Sequence, residues 1–202
     1  MKNIVLVGYG GNYYDLKEQL EIQEYNILGY LDTNKKKTRE NYLGTDIDNN
    51  VFNEKKIITL GGIGKANLQR RKIFKIHSKN LINLIFNSAE VSRYVRINKD
   101  SNVIIFHKVI IKSKVIIKSN VFINSGCIIG HHCKIEKNVQ LSLGVLIGGH
   151  TVIGKNTYIG IGAKIFQNVK IGENCIIAAN SVVTKDIPNN SMVIGKNKIR
   201  RI

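Results

Sequence analysis

The chain has 202 residues, of which 43% are hydrophobic and one is proline, so its composition supports one or two packed domains and excludes a disordered or collagen-like chain. No stretch approaches the roughly twenty apolar residues of a membrane span, and the apolar start is too short for a signal peptide, so we expect a cytoplasmic protein. Lys and Arg outnumber Asp and Glu by 31 to 14, a net charge of +17 that is typical of proteins with an anionic partner, although an AT-rich genome also favours Lys.

The N-terminal sequence predicts a strand, a glycine loop and a helix. An apolar run at residues 4–7 is followed by helical spacing at residues 14–23. The loop between them is Gly8-Tyr9-Gly10-Gly11-Asn12. It departs from the dinucleotide-binding pattern G-x-G-x-x-G, which needs glycine where Tyr13 stands. Its backbone N–H groups still suit a phosphate group at a helix N-terminus, although a tight strand-to-helix turn explains the glycines equally well.

Further alternation of strand and helix follows in chain order. Strands are predicted at residues 25–30, 56–60 and 81–86, and a basic helix at residues 66–76. Asp32 follows the second strand, where its carboxylate would accept a ribose or sugar hydroxyl or act as a turn residue. Gly62 follows the third strand, so we expect it at the same carboxyl edge of a parallel sheet. The first half of the chain therefore predicts a small α/β domain.

The second half contains a six-residue repeat. From Ile105, every sixth residue as far as Val183 is a large aliphatic, and a small or β-branched residue lies two positions before each one. This period fits neither an α-helix nor strands joined by ordinary turns, and it predicts a left-handed parallel β-helix with three repeats in each coil. Residues eighteen apart should then stack about 4.8 Å apart. We expect about four and a half coils, with the base of the prism at a shift of the repeat at residues 98–102.

The cysteines lie on the small inward column of this repeat. Cys127, Cys133 and Cys175 are therefore interpreted as buried apolar side chains, not as metal ligands or a disulfide framework. The sequence predicts no metal site.

This combination resembles the bacterial sugar O- and N-acetyltransferases that modify bacillosamine, perosamine or sialic acid precursors. The resemblance rests on the N-terminal glycine loop with Asp32 and on the segment Asn124-Ser125-Gly126-Cys127-Ile128-Ile129-Gly130-His131. It implies a Rossmann-like nucleotide-sugar-binding domain at residues 1–90 and a left-handed β-helix acyltransferase domain at residues 91–202. It further implies a homotrimer with acetyl-CoA bound between neighbouring prisms. The substrate-binding residues it implies are Gly8, Gly10, Gly11, Asn12, Asp32 and Gly62.

The family's catalytic histidine corresponds to His131. Acyl transfer from a thioester needs a base, and an imidazole suits that task near neutral pH. Gly149 lies eighteen residues later, so it should stack on His131 and offer its N–H to the thioester oxygen. A solvent-exposed corner histidine with no function is the alternative. Asn124 matches a polar active-site residue of the family, and a corner asparagine explains it about equally well.

Other positions depart from the family. His132 stands where an acid commonly orients the catalytic histidine, Gln140 replaces a histidine associated with acetyl-CoA, and Asn12 replaces a loop histidine. The resemblance places acetyl-CoA near Gln140, Gly149, Ile161 and Ala179. His107 and His150 have no family match and are expected to be surface residues.

The function predicted from these features is acetyl-CoA-dependent N-acetylation of a nucleotide-linked amino sugar in surface glycan biosynthesis. The nearest alternative is O-acetylation of sialic acid or a related sugar. A hexapeptide-repeat protein that only binds or assembles is a further alternative. We expect no nucleic-acid partner, because no recognition helix, aromatic RNA-binding pattern or zinc-ligand spacing accompanies the charge.

Overall fold

The computed structural model describes residues 2–46, 54–59 and 65–202. The chain divides into two compact units, one of Met1–Leu84 with Lys99–Asn102 and the other of Ile85–Asn98 with Val103–Ile202. In the described part of the chain, no helix is long and apolar enough to cross a membrane.

The elements of the N-terminal unit are β1 (Lys2–Val7), α1 (Tyr13–Ile22), β2 (Tyr25–Leu31), β3 (Tyr42–Gly44), β4 (Lys55–Ile58) and α2 (Lys65–Ile76). The four strands form a parallel sheet in the order β3-β2-β1-β4. The apolar run of β1 is fully buried from Ile4 to Val7, as expected for a central strand of a parallel sheet. Leu16 and Leu20 on one face of α1 are also fully buried, which explains the helical spacing of the sequence.

The strand predicted at residues 81–86 is wrong in its extent and its partner. Leu81 makes a single bridge to Lys56, whereas the strand itself is β5 (Leu84–Ile85), which lies at the edge of a β-helix sheet. The fourth strand of the small sheet is β3, which the sequence did not predict. An apolar run predicts that a segment is buried, but it does not predict which sheet the segment joins.

The second unit is a parallel β-helix of two-residue strands in three sheets, and it ends in two four-residue strands that pair with each other antiparallel. One sheet contains β7 (Arg96–Ile97), β10 (Ile116–Ile117), β13 (Lys134–Ile135), β16 (Val152–Ile153) and β19 (Lys170–Ile171). The next contains β6 (Glu90–Val91), β9 (Ile110–Ile111), β12 (Ile128–Ile129), β15 (Leu146–Ile147), β18 (Lys164–Ile165) and β21 (Val182–Val183). The third contains β5, β8 (Ile104–Ile105), β11 (Phe122–Ile123), β14 (Gln140–Leu141), β17 (Tyr158–Ile159), β20 (Ile176–Ile177), β22 (Ser191–Ile194) and β23 (Lys198–Arg201).

The six-residue repeat generates the core of this unit as predicted. Strands of successive coils pair in register at a step of eighteen residues, for example Ile117 with Ile135 and Ile135 with Ile153. Both inward columns are buried along their whole length, from Val103 to Val183. The three cysteines lie among them as free thiols, and burial raises the pKa of the Cys127 thiol to about 12. Their prediction as apolar side chains is confirmed.

The predicted base of the prism is wrong by one coil. Strands β5, β6 and β7 precede residues 98–102 and already form one strand in each sheet, and Phe86 donates its N–H to Ile105 O at 2.9 Å. The repeat shifts because Ile97 and Ile105 are eight residues apart instead of six. The inserted residues Lys99–Asn102 belong to the N-terminal unit, within which Asn102 Oδ1 accepts a hydrogen bond from Ile58 N at 2.8 Å.

One corner of the β-helix is held by a ladder of asparagines. Their side-chain amides bond from coil to coil at 2.9–3.1 Å, in the order Asn120, Asn138, Asn156, Asn174 and Asn190. All five have φ between 54° and 63°, the left-handed conformation that asparagine tolerates best among residues other than glycine. The left-handed turn therefore favours asparagine at this corner, and the ladder satisfies the hydrogen-bonding groups of the asparagine side chains.

Candidate active site

Three histidines meet at another corner of the β-helix. His131 and His132 follow β12, and His150 follows β15 at the same corner one coil later. His132 and His150 occupy equivalent left-handed positions, with φ of 59° and 58°. All three side chains are exposed to solvent. They are therefore available to a ligand and do not serve as core residues.

The three imidazoles contact one another. His131 Nδ1 lies 3.0 Å from His132 Nδ1, a hydrogen bond in which one ring donates and the other accepts. The rings of His132 and His150 are stacked, with centroids 4.7 Å apart, and His131 is edge-on to both. The pKa of His132 is lowered by desolvation and by the nearby charges of His150 and Lys114. A neutral His132 is the form that can accept a hydrogen bond from His131.

Gly149 lies against the His131 ring, at the place that the eighteen-residue step predicts. A Cβ added at residue 149 would stand 2.9 Å from His131 Cε1 and 3.0 Å from Nε2, closer than side chains normally approach. Residue 149 therefore has to be glycine for the imidazole to keep this position.

No carboxylate contacts His131 among the hydrogen bonds of the described residues. The two acids of the neighbouring coils are engaged elsewhere, since Glu136 pairs with Lys134 at 2.5 Å and Glu173 with Lys155 at 3.1 Å. His132 occupies the position where the resemblance implies an acid, and it contacts His131 there.

His150 is the site residue that sequence reasoning missed. It is exposed, as expected for a surface residue, and it also lies in the histidine cluster. The sequence contains the signal for this contact, because His150 lies eighteen residues after His132, the same step that places Gly149 on His131. His107, the other histidine without a match, is held apart by a 2.8 Å bond to Ser88 Oγ and by the ring of Phe86.

Asn124 lies at a different corner from His131. It follows β11, is half-buried, and its Oδ1 accepts a 2.8 Å hydrogen bond from the Ser125 N–H. This contact supports the turn itself. Within one chain, the structure therefore places Asn124 and His131 at successive corners of the same coil.

The residues expected near acetyl-CoA likewise lie at separate places in the β-helix. Ile161 and Ala179 are exposed at the corner of Asn124, one coil apart, with Ile161 52% exposed. Gln140 is buried within β14 and Gly149 lies at the histidine corner. A single chain thus does not bring these four residues together.

An exposed apolar surface flanks the histidine corner. Ile128, Leu146 and Phe166 are 39%, 38% and 54% exposed, and with Gly148 and Gln167 they line one depression. The sequence analysis predicted the inward columns but made no prediction for these outward positions. The signal was the occurrence of Ile and Leu at outward strand positions, where Lys stands in β13, β18 and β19.

In the N-terminal unit, the glycine loop and Asp32 meet at the carboxyl edge of the sheet. Gly8 has φ of 100°, which favours glycine, and its carbonyl accepts a hydrogen bond from the Thr59 hydroxyl. The Asp32 carboxylate accepts hydrogen bonds from Tyr9 N at 2.7 Å and Asn34 N at 3.2 Å, and it pairs with Lys36 at 3.1 Å. Asp32 is thus used to hold the loop, which is the turn role left open by the sequence.

The rest of the loop leads into α1. Tyr13 N bonds Gly10 O at 3.0 Å and Leu16 N bonds Asn12 O at 3.1 Å, while Gly11 is exposed. The Asn12 side chain makes no capping hydrogen bond. Gly62 lies outside the described residues.

A group of tyrosines that the sequence did not single out lies beside this loop. Tyr9, Tyr13 and Tyr30 form a ring cluster with centroids 4.3–5.9 Å apart. The Tyr9 hydroxyl donates to the exposed Tyr14 hydroxyl at 2.7 Å. The loop therefore carries aromatic faces and hydroxyls in addition to backbone N–H groups.

Known proteins share this fold. Residues 150–185 match the family model described as bacterial transferase hexapeptide (six repeats). No curated protein sequence matches the chain at a significant level. The solved acetyltransferase domain of PglB from Neisseria gonorrhoeae, in complex with acetyl coenzyme A, is 24% identical, with a TM-score of 0.88 and coverage of 100% of this chain and 99% of that one.

Two further solved structures extend the likeness. A mutant of perosamine N-acetyltransferase from Caulobacter crescentus, in complex with CoA and GDP-perosamine, is 23% identical, with a TM-score of 0.88 and coverage of 99% of this chain and 97% of that one. WeeI from Acinetobacter baumannii AYE is 19% identical, with a TM-score of 0.82 and coverage of 100% of both chains. The chain has the fold of these proteins over its whole length.

Proposed function

We propose that this chain is an acetyl-CoA-dependent N-acetyltransferase that acts on a nucleotide-linked amino sugar in surface glycan biosynthesis. The observation that carries the proposal is the His131 imidazole, exposed at a β-helix corner, packed on Gly149 and bonded to His132. Solved proteins of the same fold support it, since one holds acetyl coenzyme A and another holds CoA with GDP-perosamine.

In the proposed reaction, the sugar amine attacks the thioester carbonyl carbon in a ternary complex. A C–N bond forms, and His131 Nε2 takes a proton from the amine while Gly149 N–H supports the oxyanion. The C–S bond then breaks, and the proton passes to the departing thiolate to give CoA and the N-acetyl sugar. No covalent intermediate with the protein is required.

His132 takes the place of the orienting acid in this scheme. With hydrogen on its Nδ1, His131 donates to His132 Nδ1 at 3.0 Å, which leaves Nε2 as the basic atom. A neutral imidazole stabilises a protonated His131 less than a carboxylate would. This favours an amine substrate over a hydroxyl, since a neutral amine needs less help from a base.

The N-terminal unit is proposed to be a Rossmann-like domain that binds the nucleotide sugar. Gly10 and Gly11 present backbone N–H groups before α1, where a phosphate is favoured by the helix dipole. The Gly8 N–H instead donates to Leu31 O at 2.6 Å, so Gly8 contributes through the turn. Tyr9 and Tyr14 offer rings and hydroxyls beside that position. Asp32 contributes by fixing the loop, and Asn12 and Gly62 remain predicted substrate contacts.

The β-helix, proposed to be left-handed, is expected to work as a cytoplasmic homotrimer. Asn124, Ile161 and Ala179 lie at one corner and His131 with Gly149 at the next, so prisms packed side by side would join the two sets from different chains. The exposed Ile128, Leu146 and Phe166 support such packing, because isolated monomers rarely leave adjacent large apolar side chains uncovered. Acetyl-CoA would lie in the groove so formed.

The test is acetyl transfer by the purified chain from acetyl-CoA to UDP-, GDP- and CMP-linked amino sugars. Release of the CoA thiol gives the rate, and the buried cysteines of the chain should not contribute to the signal. Mass spectrometry should place the acetyl group on nitrogen. The matched control is the same sugar nucleotide with a hydroxyl in place of the amine, which should be inert. Acetylation of the hydroxyl compounds alone would replace the proposal with O-acetylation, and inactivity on every sugar would refute it.

A further inference from the structure

We infer that His131, His132 and His150 form a binding site for a divalent transition-metal ion such as Zn²⁺ or Ni²⁺. Each histidine offers a ring nitrogen, and the three ligand atoms lie within 4.8 Å of one another. Nothing in the sequence analysis predicted such a site, because the third ligand comes from the following coil.

The spacing of the nitrogens suits one ion after small side-chain rotations. Ligands 2.0–2.1 Å from a tetrahedral ion are about 3.3 Å apart. His131 and His132 already approach this distance, with their Nδ1 atoms at 3.0 Å. The stacked ring of His150 has to tilt toward them, since parallel rings direct their lone pairs along parallel lines. All three side chains are exposed, so rotation about χ1 and χ2 meets little packing.

The backbone beneath the cluster is fixed by the coil-to-coil ladder. His150 N bonds His131 O at 2.9 Å, and His132 N bonds Ser113 O at 3.0 Å. The three Cα positions are therefore set before any ion binds, and little backbone ordering opposes binding. Three histidines from a rigid element leave a fourth tetrahedral position open to water or another ligand.

The donor set selects the class of ion. Three imidazoles suit Zn²⁺, Ni²⁺ and Cu²⁺, whereas Mg²⁺ and Ca²⁺ require oxygen ligands. Among the residues that the structure describes, no carboxylate joins the cluster. The ion should therefore be bound by nitrogen and water alone.

If the proposed acyl transfer is correct, an ion at this site acts as an inhibitor. It would occupy a nitrogen of His131 and hold the ring away from the amine. The metal-free chain is then the active form. Binding itself does not depend on the proposed function and is measured separately.

The experiment is an equilibrium titration of the metal-free full chain with Zn²⁺ in competition with a chromophoric chelator. One ion per chain is expected. His150→Gln should weaken binding by at least about 10–100-fold, the loss known for outer-shell partners of a metal site. The matched control is His107→Gln, which changes an exposed histidine outside the cluster and should leave the affinity unchanged. Substitution with Co²⁺ should give a spectrum without thiolate charge-transfer bands.

Equal affinity of wild type and His150→Gln, or equal losses in His150→Gln and His107→Gln, would overturn the site. A thiolate band would also overturn it. Zn²⁺ should inhibit acetyl transfer by wild type more than by His150→Gln, when each rate is expressed relative to the metal-free turnover of the same protein. Binding through the three histidines in a chain that transfers no acetyl group to any sugar would preserve the metal site and refute the proposed function.

Discussion

The two units of this chain obtain parallel β-structure from different kinds of sequence. In the β-helix, strands of two residues suffice, because each inward aliphatic stacks on an equivalent residue eighteen positions away. In the N-terminal unit, β1 needs a continuous apolar run and a helix to cover the sheet, and no repeat fixes its partners. The difference also divides the candidate sites. Regular corners hold the histidines, whereas irregular loops hold the glycines, Asp32 and the tyrosines.

The largest expected effect tests whether the chemistry resides in the β-helix. His131→Ala should lower kcat by about 10²–10⁴-fold, the usual contribution of a positioned general base, with little change in the Kd of acetyl-CoA. Steady-state kinetics and calorimetric titration measure the two quantities. His107→Ala is the control and should retain full turnover. Near-normal turnover of His131→Ala would show that another group is the general base.

A paired substitution tests whether the units have separate cores. Ile135→Ala in the β-helix and Ile57→Ala in the small sheet each remove a fully buried side chain and should cost about 2–5 kcal/mol of unfolding free energy. Calorimetry should show that each substitution lowers mainly one of two transitions. If both lowered a single transition equally, the units would unfold as one.

A third substitution concerns the loop that Asp32 holds. Asp32→Ala removes the partner of Tyr9 N and of Lys36, so the loop should lose its position. A hydrogen bond to a charged group contributes about 1.5–3 kcal/mol, and the KM for the sugar nucleotide should rise by about tenfold or more. The KM for acetyl-CoA should be nearly constant. Equal changes in both constants would contradict a substrate site in this unit.

A fourth substitution restores the residue common in the resembling family. His132→Glu should retain or raise turnover, because a carboxylate can accept the His131 hydrogen bond and stabilise the protonated ring. Rate measurements against wild type and His132→Ala check it. His132→Ala should be slower than both. Loss of activity in His132→Glu together with full activity in His132→Ala would exclude an orienting role.

The smallest expected effect is a pH dependence of the N-terminal unit. His77 is fully buried and its Nε2 lies 2.7 Å from Asp46 O, and burial lowers its pKa below the ordinary value. As pH falls below about 6.5, the unfolded chain binds a proton that the folded chain does not, so stability decreases. His77→Gln should flatten the slope of unfolding free energy between pH 7.5 and 5.5 by less than the ~1.4 kcal/mol per pH unit of one proton. An unchanged slope would show that His77 is not responsible.

The sequence predicts those features that follow from a period. The inward columns and the stacking of Gly149 on His131 needed only steps of six and eighteen. The position of His150 and the first four asparagines of the ladder follow from the same eighteen-residue step, although neither belongs to the inward columns or to the family motif.

Other features depend on tertiary contacts that no local pattern reports. Strand β3 is short and only half-buried, so it has no apolar run to mark it. The partner of β5 and the coil before residues 98–102 depend on which of two cores buries Ile85. The bonds of Asp32 require knowing that β1 and β2 are neighbours, and the tyrosine cluster gathers residues far apart in the chain.

The asparagine ladder restricts the changes in chain length that the β-helix can accommodate to whole coils. From Asn120 to Asn174 each rung lies on the one eighteen residues before it, so loss of a single residue within a strand would displace every later rung, whereas loss of a whole coil would close the ladder again. Such a loss keeps the register of the inward columns and changes which side chains meet at each corner. Without residues 133–150, Gln167 would stand over His131 and Asn168 over His132. Insertions and deletions in this fold are therefore expected to comprise whole coils, and each coil brings its own set of corner side chains.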